Sequence, residues 1–386
     1  MKIAMVDPSL FTIQYDCELV HALGDGNDRE KPDQRVILYG RPLRPEEELP
    51  HPIALVSQFY GTSEKLPRTF RRMAKGIEHP VDMSIFTMRM ALLRPDIVHF
   101  QWCPLPLVDR AGIALLRNVA PVVLTVHDPH PYNGHPVGIM SRGTRELTRL
   151  FDAVIVHSEW GKSQLGGDGI DPAKTHVVPH GPLQVKASSR EAAAGRDRFT
   201  IVFFGKIKAY KRLDTLVDAL AKLPPVLKER IHLIVVGEPL IDISDIQSTA
   251  AAAGIRTSWE LRFIRDDEID RWLGRADLFV FPYRDIDASG VFMSCLKYGK
   301  PVIATRIGMF QEVLQDGIHG YLIDLDQPSE AFTTAIADVM ADPALACRMG
   351  SEVGRLMNAL PSWPGIARLT RNIYSEARER WQKNPR

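Results

Sequence analysis

The sequence predicts an α/β protein with two doubly wound domains that face each other across a cleft. In residues 1–182, apolar runs of strand length alternate with segments of helical periodicity, and the same alternation returns in residues 199–362. Residues 183–198 lack a regular apolar period and are interpreted as a linker. Strands that alternate with helices are typical of parallel sheets covered on both faces. Residues 363–386 follow the second series and contain one more helical segment.

Each element rests on its apolar pattern and on the turn residues that bound it. The strands predicted in the first series are residues 2–7, 35–40, 53–60, 96–102, 121–126, 152–158 and 174–179. The helices predicted there are residues 15–23, 105–116 and 159–165, with a surface helix near 64–75. In the second series, strands are predicted at residues 199–205, 231–237, 260–264, 278–283 and 301–305, and helices at 213–223, 289–298 and 364–381.

The stretch between residues 277 and 308 is the most informative part of the chain. An apolar run at 278–283 precedes a polar loop, and Ser289 occupies the position of a helix N-cap. Gly299 and Pro301 then end the helix before a second apolar strand. This order implies parallel pairing, so the start of the helix lies at the carboxyl edge of the sheet. The N–H groups at a helix start are suited to binding a phosphate.

A basic loop follows the first strand of the second series, and it should reach the same edge. The loop contains Gly205, Lys206, Lys208, Lys211 and Arg212. Four cations beside a helix start would suit a diphosphate, because they could stabilise negative charge on a leaving phosphate without a metal ion. The alternative is that these side chains form an ordinary solvated loop.

His127 is the candidate catalytic residue of the first series. It follows a predicted buried strand directly and precedes Asp128 in a polar loop that runs to residue 135. Loops at the carboxyl ends of parallel strands commonly bind substrates. The alternative is a structural histidine, and a core position is favoured for His99 and His157 because they lie in or near predicted strands.

The bulk composition excludes some functions and favours others. The 386 residues carry a formal net charge of +1, and no nucleic-acid-binding signature is present. The four cysteines show no C-x-x-C spacing, which favours free thiols in a reducing compartment. The apolar start of the chain is too short for a signal peptide, and no apolar run reaches the length of a membrane span.

Residues 65–75 form a basic stretch with two open interpretations. Its five cations stand among Leu66, Phe70 and Met73, and they are Lys65, Arg68, Arg71, Arg72 and Lys75. The stretch is either a solvated face of a surface helix or a patch that contacts anionic lipid or an anionic acceptor.

Several acidic residues could contact a sugar or a metal ion. Glu312 could accept hydrogen bonds from sugar hydroxyls, although a glutamate in the first turn of a helix is also favoured by the helix dipole. Two D-x-D triplets occur, at residues 285–287 and 324–326. Such short triplets are common by chance, so no metal site and no cofactor are predicted.

These motifs resemble family 4 of the glycosyltransferases, which has the two-domain GT-B fold. The resemblance covers nearly the whole chain and is strongest over residues 199–325. The similar segments read VFFGKIKAYKRLDTLVDAL, ADLFVFPYRDIDASGVFMSCLKYGKPVIAT and GMFQEVLQDGIHGYLID, and in the first half RPDIVHFQW, LTVHD, AVIVHS and THVVPHG. The resemblance also implies that the final helix crosses back to the first domain.

The resemblance implies roles for individual residues. The donor diphosphate would be held by the side chains of Lys206 and Lys211, at the Gly205 loop, and by backbone N–H groups of Ser289, Gly290 and Val291. His127 would lie near the transferred sugar, and Gly308 and Glu312 would belong to a loop that touches the donor. Family members retain anomeric configuration and need no metal ion in the site, and the leaving phosphate is thought to help deprotonate the acceptor.

The sequence departs from the family pattern at two places. The two glutamates expected in the donor segment fall on Ile286 and Ser294, so Asp287 is a substitute sugar contact and Ser294 a weak ribose partner. The usual glycine pair after the first strand is replaced by residues 8–11. Tyr15, Asp128 and His130 are the candidate residues on the acceptor side.

The resulting hypothesis is a cytoplasmic glycosyltransferase of polysaccharide assembly. It would transfer a sugar from a GDP- or UDP-sugar to a glycan or lipid-linked saccharide, with peripheral contact to an anionic membrane surface through residues 65–75 left open. The alternatives are a non-catalytic nucleotide-sugar-binding scaffold, a sugar-nucleotide epimerase of the same fold, and a phosphorylase.

Overall fold

The chain divides into two compact units, each built on one parallel sheet. The computed structural model describes residues 1–24, 35–45, 47–129, 142–183 and 198–383. Unit 1 consists of Met1–Gly181 and Pro361–Arg386, and unit 2 is Pro182–Leu360. Nearly all of the predicted linker lies outside the described residues, as does the candidate residue His130.

Unit 1 contains a seven-stranded sheet over the described residues, in the order β3-β2-β1-β4-β5-β6-β7, with every pair parallel. The strands are β1 Lys2–Val6, β2 Arg35–Gly40, β3 Ala54–Ser57, β4 Ile97–Phe100, β5 Val122–Thr125, β6 Ala153–Val156 and β7 Thr175–Val177. The helices are α1 Ile13–Gly24, α2 Arg68–Leu93, α3 Pro106–Leu116, α4 Thr144–Thr148 and α5 Glu159–Gly167, with 3-10 turns at Ser63–Lys65 and Pro172–Lys174.

Unit 2 contains a six-stranded parallel sheet over the described residues, in the order β10-β9-β8-β11-β12-β13. The strands are β8 Phe199–Phe204, β9 Ile231–Val236, β10 Thr257–Glu260, β11 Leu278–Phe281, β12 Val302–Thr305 and β13 Gly320–Ile323. The helices are α6 Leu213–Ala221, α7 Pro225–Lys228, α8 Ser244–Ala252, α9 Asp266–Leu273, α10 Gly290–Leu296, α11 Gly308–Val313, α12 Pro328–Ala341 and α13 Pro343–Ala359, with a 3-10 turn at Ala209–Lys211.

The central strands could be predicted from the sequence because they are buried on both faces of their sheets. All four residues of β4, β5, β6, β11 and β12 are buried, so these strands appear as continuous apolar runs. In both sheets the strand order reverses beside the first strand of the unit, between β1 and β4 and between β8 and β11. The carboxyl ends of the strands at such a reversal are the usual place for a ligand.

The last helix, α14 (Trp363–Lys383), belongs to unit 1 and is fixed by polar contacts. The Tyr374 hydroxyl lies 2.7 Å from Nδ1 of His99, which is fully buried in β4. Arg371 donates to the carbonyl of Leu23 at 2.9 Å, and Trp381 donates to the carbonyl of Arg117 at 2.7 Å. The side chains of α14 therefore complete the core of a unit whose other elements lie some 180 residues earlier in the chain.

Two predicted elements differ in position or length more than the others do. The strand predicted at 260–264 is β10, Thr257–Glu260, and the apolar residues Leu261 and Phe263 that suggested the later position are exposed. The helix predicted near 64–75 begins at Arg68 and continues to Leu93, through Pro80. Packing against α3 and the sheet supports this length, because tertiary contacts override the weak local signals of glycine and proline.

Gly320 is a position where close backbone approach requires glycine, and a substitution there should be costly. Its φ is 142°, and a Cβ would overlap the carbonyl oxygen of Val302 in the paired strand β12. Gly317 also has a positive φ, of 74°, but nothing lies within 4 Å of an added Cβ. We expect Gly320→Ala to lower the free energy of unfolding by more than ~3 kcal/mol and Gly317→Ala by about 1 kcal/mol.

Urea unfolding of both variants measures this difference. An equal shift of the midpoint for the two variants would show that the left-handed backbone, rather than the contact with β12, accounts for the requirement at Gly320.

Candidate functional site

In unit 2, Gly205 brings the basic loop and the start of α10 together. Gly205 directly follows β8 and has a φ of 94°. A Cβ built on it would lie 3.0 Å from Nζ of Lys211 and 3.1 Å from Cγ2 of Val291. The structure thus places three of the predicted donor-site residues next to one another at the carboxyl edge of the sheet. Glycine is required here because a side chain would occupy the space between the ammonium group and the helix.

Lys211 is buried, and none of the described residues forms an ion pair with its ammonium group. Only 6% of the residue is exposed, and Nζ lies 3.4 Å from the carbonyl oxygen of Phe204 and 5.5 Å from the centre of the Tyr283 ring. Burial, reinforced by the neighbouring Lys208, lowers the pKa of Lys211 to about 7. An anion at this position would supply the missing opposite charge and favour the protonated form.

The other cations of the loop are arranged differently. Lys206 is exposed, and Lys208 lies 5.6 Å above the ring of Tyr210. Arg212 turns back onto Asp214, with Nε 3.0 Å from the carboxylate. The four cations predicted for this loop therefore do not act alike, since Lys211 points into the interior and Arg212 is neutralised by a local ion pair.

The helix start at Ser289 forms as predicted. The Ser289 hydroxyl accepts a hydrogen bond from the N–H of Phe292 at 3.2 Å, which is N-cap geometry. The N–H of Ser289 itself donates to Sδ of Met309 at 2.9 Å. Of the three N–H groups that the resemblance assigned to a diphosphate, the one of Ser289 is therefore engaged within the protein, next to those of Gly290 and Val291.

Gly308 couples the loop before α10 to the start of α11. Its φ is 47°, and a Cβ would overlap the carbonyl oxygen of Ile286 and lie 3.1 Å from that of Asp287. The next residue, Met309, donates its N–H to the Asp287 carbonyl at 2.9 Å. Asp287 is fully buried at this junction, whereas Glu312 in α11 is exposed. Gly308 and the buried Asp287 therefore lie in one packed junction, whereas the side chain of Glu312 is exposed to solvent.

The two positions that lack glutamates are both nearly buried. Ile286 is 7% exposed and packs in the core of unit 2. Ser294 donates its hydroxyl to the carbonyl of Gly290 at 2.9 Å, so its oxygen keeps only its acceptor capacity for a ligand. Asp324, from the second aspartate triplet, forms an ion pair with Arg306 at 2.9 Å.

In unit 1, His127 lies in a chain of hydrogen-bonding side chains at the carboxyl ends of β4, β5 and β6. Its Nε2 is 2.9 Å from the side-chain amide of Gln101, and its Nδ1 is 3.1 Å from Nε2 of His157. The ring of Trp102 stacks on His127 at 5.5 Å with an angle of 14° between the planes. The position of His127 is therefore fixed by residues from three adjacent strand ends.

The hydrogen bonds fix which ring nitrogens carry protons. Nδ1 of His157 is 3.0 Å from the carbonyl oxygen of Val178 and must donate to it. Burial lowers the pKa of His157 to about 3, so this ring is neutral and its Nε2 accepts from Nδ1–H of His127. The pKa of His127 is also far below its usual value because of burial and the nearby histidines. In this tautomer His127 keeps a lone pair on Nε2, which lies 2.9 Å from Oε1 of Gln101, while the NH2 group of Gln101 donates to Sδ of Met5 at 2.7 Å. A hydrogen bond from Gln101 to this lone pair therefore requires the amide to turn so that its NH2 group faces Nε2.

Tyr15 lies at the centre of this aromatic cluster. Its ring centre is 4.9 Å from that of His127, 5.1 Å from that of His180 and 5.2 Å from that of Trp363. Burial lowers the pKa of His180 to about 4. Tyr15 and His127 were expected here from the sequence, whereas His180 was not and His157 was expected in the core only. The overlooked signal is that His157 lies near the end of one predicted strand and His180 directly follows the next.

The loop after β1 is organised by a buried pair of carboxyl groups that the sequence analysis also missed. Asp7 accepts hydrogen bonds from the N–H groups of Ser9 and Thr12, at 3.2 and 3.1 Å. Burial and the adjacent Asp7 raise the pKa of Asp16 well above its usual range, so Asp16 is the protonated member of the pair. This arrangement supports the loop at residues 8–11, where the family pattern has glycines.

Each half of the sequence matches the model of a glycosyltransferase family. Residues 19–181 match Glycosyltransferase Family 4, and residues 198–342 match Glycosyl transferases group 1. A D-inositol 3-phosphate glycosyltransferase of a Nocardioides species is 27% identical over 294 residues, which are 70% of this chain and 64% of that protein. The next two such relatives are matched over 42% and 51% of their lengths, so the chain spans less than two thirds of the first curated relatives.

A second kind of relative is matched over more of its length. A GDP-mannose:glycolipid 4-beta-D-mannosyltransferase of Xanthomonas campestris is 24% identical over 318 residues, which are 77% of this chain and 84% of that protein.

Solved structures share the fold at low sequence identity. HepE of Anabaena, crystallised with UDP and glucose, superposes with a TM-score of 0.76 at 18% identity, over 97% of this chain and 99% of that one. Sucrose-phosphate synthase of Thermosynechococcus elongatus gives 0.73 at 19% identity, over 97% and 98% of the two chains. With two parallel sheets, matches to both halves and these neighbours, the chain belongs to family 4 of the glycosyltransferases (glycosyl transferases group 1) and has the GT-B fold.

Proposed function

We propose that this protein transfers a sugar from a nucleoside-diphosphate-sugar to a hydroxyl group of a glycan or lipid-linked saccharide. The observation that carries the proposal is the buried ammonium group of Lys211, which lies next to Gly205 beside the start of α10. A buried cation without a full counter-charge, next to backbone N–H groups, is suited to a diphosphate. The family membership of both halves supports the same reading.

The donor is proposed to be a GDP- or UDP-sugar. The mannosyltransferase of Xanthomonas is named for GDP-mannose, whereas HepE was crystallised with UDP and, in another crystal, with UDP-glucose. The names of both proteins therefore refer to nucleoside diphosphates, with guanine as the base in one and uracil in the other. The diphosphate site in unit 2 does not itself distinguish the bases.

The chemistry that these residues would perform is charge stabilisation. When the bond between the anomeric carbon and the phosphate oxygen breaks, negative charge collects on the diphosphate. Protonated Lys211 and the N–H groups of Gly290 and Val291 would stabilise this charge without having to reorganise. The leaving phosphate would then take the proton of the acceptor hydroxyl, so the sugar is transferred with retention and no protein nucleophile forms a bond.

The acceptor is proposed to bind at the carboxyl edge of unit 1. Tyr15, His127 and the half-buried Asp128 lie there. The lone pair on Nε2 of His127 would accept a hydrogen bond from an acceptor hydroxyl group once the side chain of Gln101 has moved away from it. A polysaccharide or glycolipid pathway in the cytoplasm is the proposed setting. The four free cysteines fit a reducing compartment.

A second candidate is a scaffold that binds a nucleotide-sugar without transferring it. The hydroxyl of Ser294 is directed to a backbone carbonyl, where a glutamate would offer a charged acceptor. An epimerase would need accessible carboxyl groups for proton transfer, and the Asp7–Asp16 pair is fully buried. The scaffold is therefore the alternative that the structure favours over an epimerase.

Calorimetric titration of GDP, UDP and ADP, with and without magnesium, tests the donor site. We expect one nucleotide to bind in the absence of the metal ion, and its sugar conjugates should then support transfer to saccharide acceptors. Binding without transfer to any acceptor would favour the scaffold. No binding of any nucleotide would contradict both candidates.

Replacing Lys211 by methionine removes the charge and keeps most of the side-chain volume. We expect Lys211→Met to lower kcat at least ~100-fold, because one lost electrostatic donor is worth about 3 kcal/mol in a transition state. Lys222→Met removes an exposed lysine that pairs with Glu330 and should leave kcat unchanged. Unchanged kinetics in Lys211→Met would remove this residue from the site.

Donor binding should also take up a proton. In the protein without a bound nucleotide the pKa of Lys211 is about 7, and a bound diphosphate would raise this pKa. Above neutral pH, binding therefore protonates the amine. We expect affinity to be greatest below about pH 7 and to fall by up to ~10-fold per pH unit above it. Titrations in two buffers of different ionisation enthalpy measure the protons taken up. The Lys211→Met variant should take up fewer, and equal uptake in both proteins would contradict this assignment.

The basic stretch at residues 65–75 is proposed to contact an anionic membrane surface. The structure reduces its charge, because Glu64 pairs with Lys75 at 2.5 Å and with Arg71 at 3.5 Å. Lys65 and Arg72 remain exposed. A contact by charge alone would therefore be weaker than the five cations of the sequence suggest.

A further inference from the structure

Helix α2 is apolar on two opposite faces. One face packs into unit 1 through Met83, Phe86 and Met90, all at most 2% exposed. The other face is exposed along the whole helix and contains Phe70, Met73, Ile77, Val81, Met88 and Leu92. Exposure of these six residues ranges from 58% at Val81 to 85% at Leu92. Helices that are apolar all round are normally covered, so the outer face requires a partner.

The spacing of the outer residues makes them one continuous stripe. Successive members are three or four positions apart from Phe70 to Met88, with exposed Ile85 filling the longest gap, and the stripe continues to Leu92. A helix of 26 residues extends about 39 Å. Leu107 and Leu115 of the adjacent helix α3 are also exposed, so the apolar surface is wider than one helix. Scattered surface residues do not produce a stripe of this length.

The carboxylates of α2 are turned away from this surface. Glu78 accepts hydrogen bonds from the N–H groups of Thr62 and Ser63, both at 2.8 Å. Asp82 accepts from the N–H of Tyr60 at 2.7 Å. Both carboxylates are therefore used to fix the loop before α2.

Cations, by contrast, are exposed around the stripe. Arg89 and Arg94 of the helix region and Arg110 of α3 are exposed. The only nearby carboxylate of α3, Asp109, is buried and accepts from the N–H of Leu105 at 3.0 Å. The surface thus combines an apolar centre with a cationic rim.

We propose that the outer face of α2 docks on an anionic lipid bilayer, with its apolar side chains at the level of the acyl chains and the arginines among the headgroups. The positive charge of the rim favours a lipid bilayer over a second copy of this chain as the partner. Two copies of this chain joined through the stripe would bring cationic rims together, whereas lipid phosphates would neutralise them. Among the described helices none is long and apolar enough to cross a membrane, so the contact is with the interface.

The position of α2 in the fold relates this contact to the acceptor. The helix begins after β3, at the carboxyl edge of the sheet, and ends just before β4 starts at the opposite edge. A helix that lies flat on the bilayer therefore holds both edges of the unit 1 sheet, the carboxyl edge included, near the headgroups. A lipid-linked saccharide would then be within reach of the carboxyl edge, a step that rests on the proposed function, whereas the docking itself does not.

Flotation with vesicles of phosphatidylcholine, with and without phosphatidylglycerol, tests the docking. We expect the wild-type protein to float with the anionic vesicles. Ile77→Glu and the milder double variant Ile77→Ser, Met88→Ser should each lower the partition coefficient at least ~10-fold, because buried apolar groups are lost from the interface. Arg110→Glu should lower it several-fold on anionic vesicles only.

The matched control is Val226→Glu, which changes an equally exposed apolar residue of unit 2 and should not affect flotation. Absence of wild-type flotation, or equal flotation of the Ile77 and Val226 variants, would overturn the proposal. A concentration-dependent dimer in sedimentation that Ile77→Glu dissociates, without any flotation, would assign the stripe to a second copy instead. Nucleotide titration of the Ile77→Glu variant should match the wild type, so failure of docking is separable from failure of the donor site.

Discussion

Burial of the parallel strands on both faces is the constraint on which the rest of this structure depends. Strands that carry apolar residues on both sides leave only their ends for polar chemistry. In unit 1 the residues that follow β4, β5, β6 and β7 are Gln101, His127, His157 and His180, and they meet around Tyr15. In unit 2, β8 leads to Gly205 in the same way. Each sheet thereby collects its reactive groups at one edge.

The same burial sets the protonation states at these edges. Desolvation disfavours charge, so His127 and His157 are held neutral and the pKa of Lys211 is brought close to neutral pH. The hydrogen bond to the Val178 carbonyl then determines the tautomer of both histidines. The surroundings of Lys211 in unit 2 therefore favour an anion, while the edge of unit 1 presents uncharged histidines and aromatic rings.

Helix α2 shows a different use of apolar residues. Its inner face contributes to the core, and the two carboxylates that could have balanced its arginines are bonded to the loop before it. The outer face is left apolar with a cationic rim. Chemistry at the edge and contact with a surface are consequently carried by separate parts of unit 1, although α2 begins at that edge.

The sequence by itself determined the fold class, the central strands and the N-cap at Ser289, because these depend on local periodicity and on short-range hydrogen bonds. It also pointed to Gly205, Lys211 and His127 through their place after apolar runs. Pairings across the chain were decided only by the tertiary structure. Glu64 neutralises two cations of the basic stretch, and His157 changes from a core residue to the partner of His127. The sequence likewise did not determine which face of α2 is covered. A helix with apolar residues on two faces has the same sequence pattern whether one face or both are packed against neighbours.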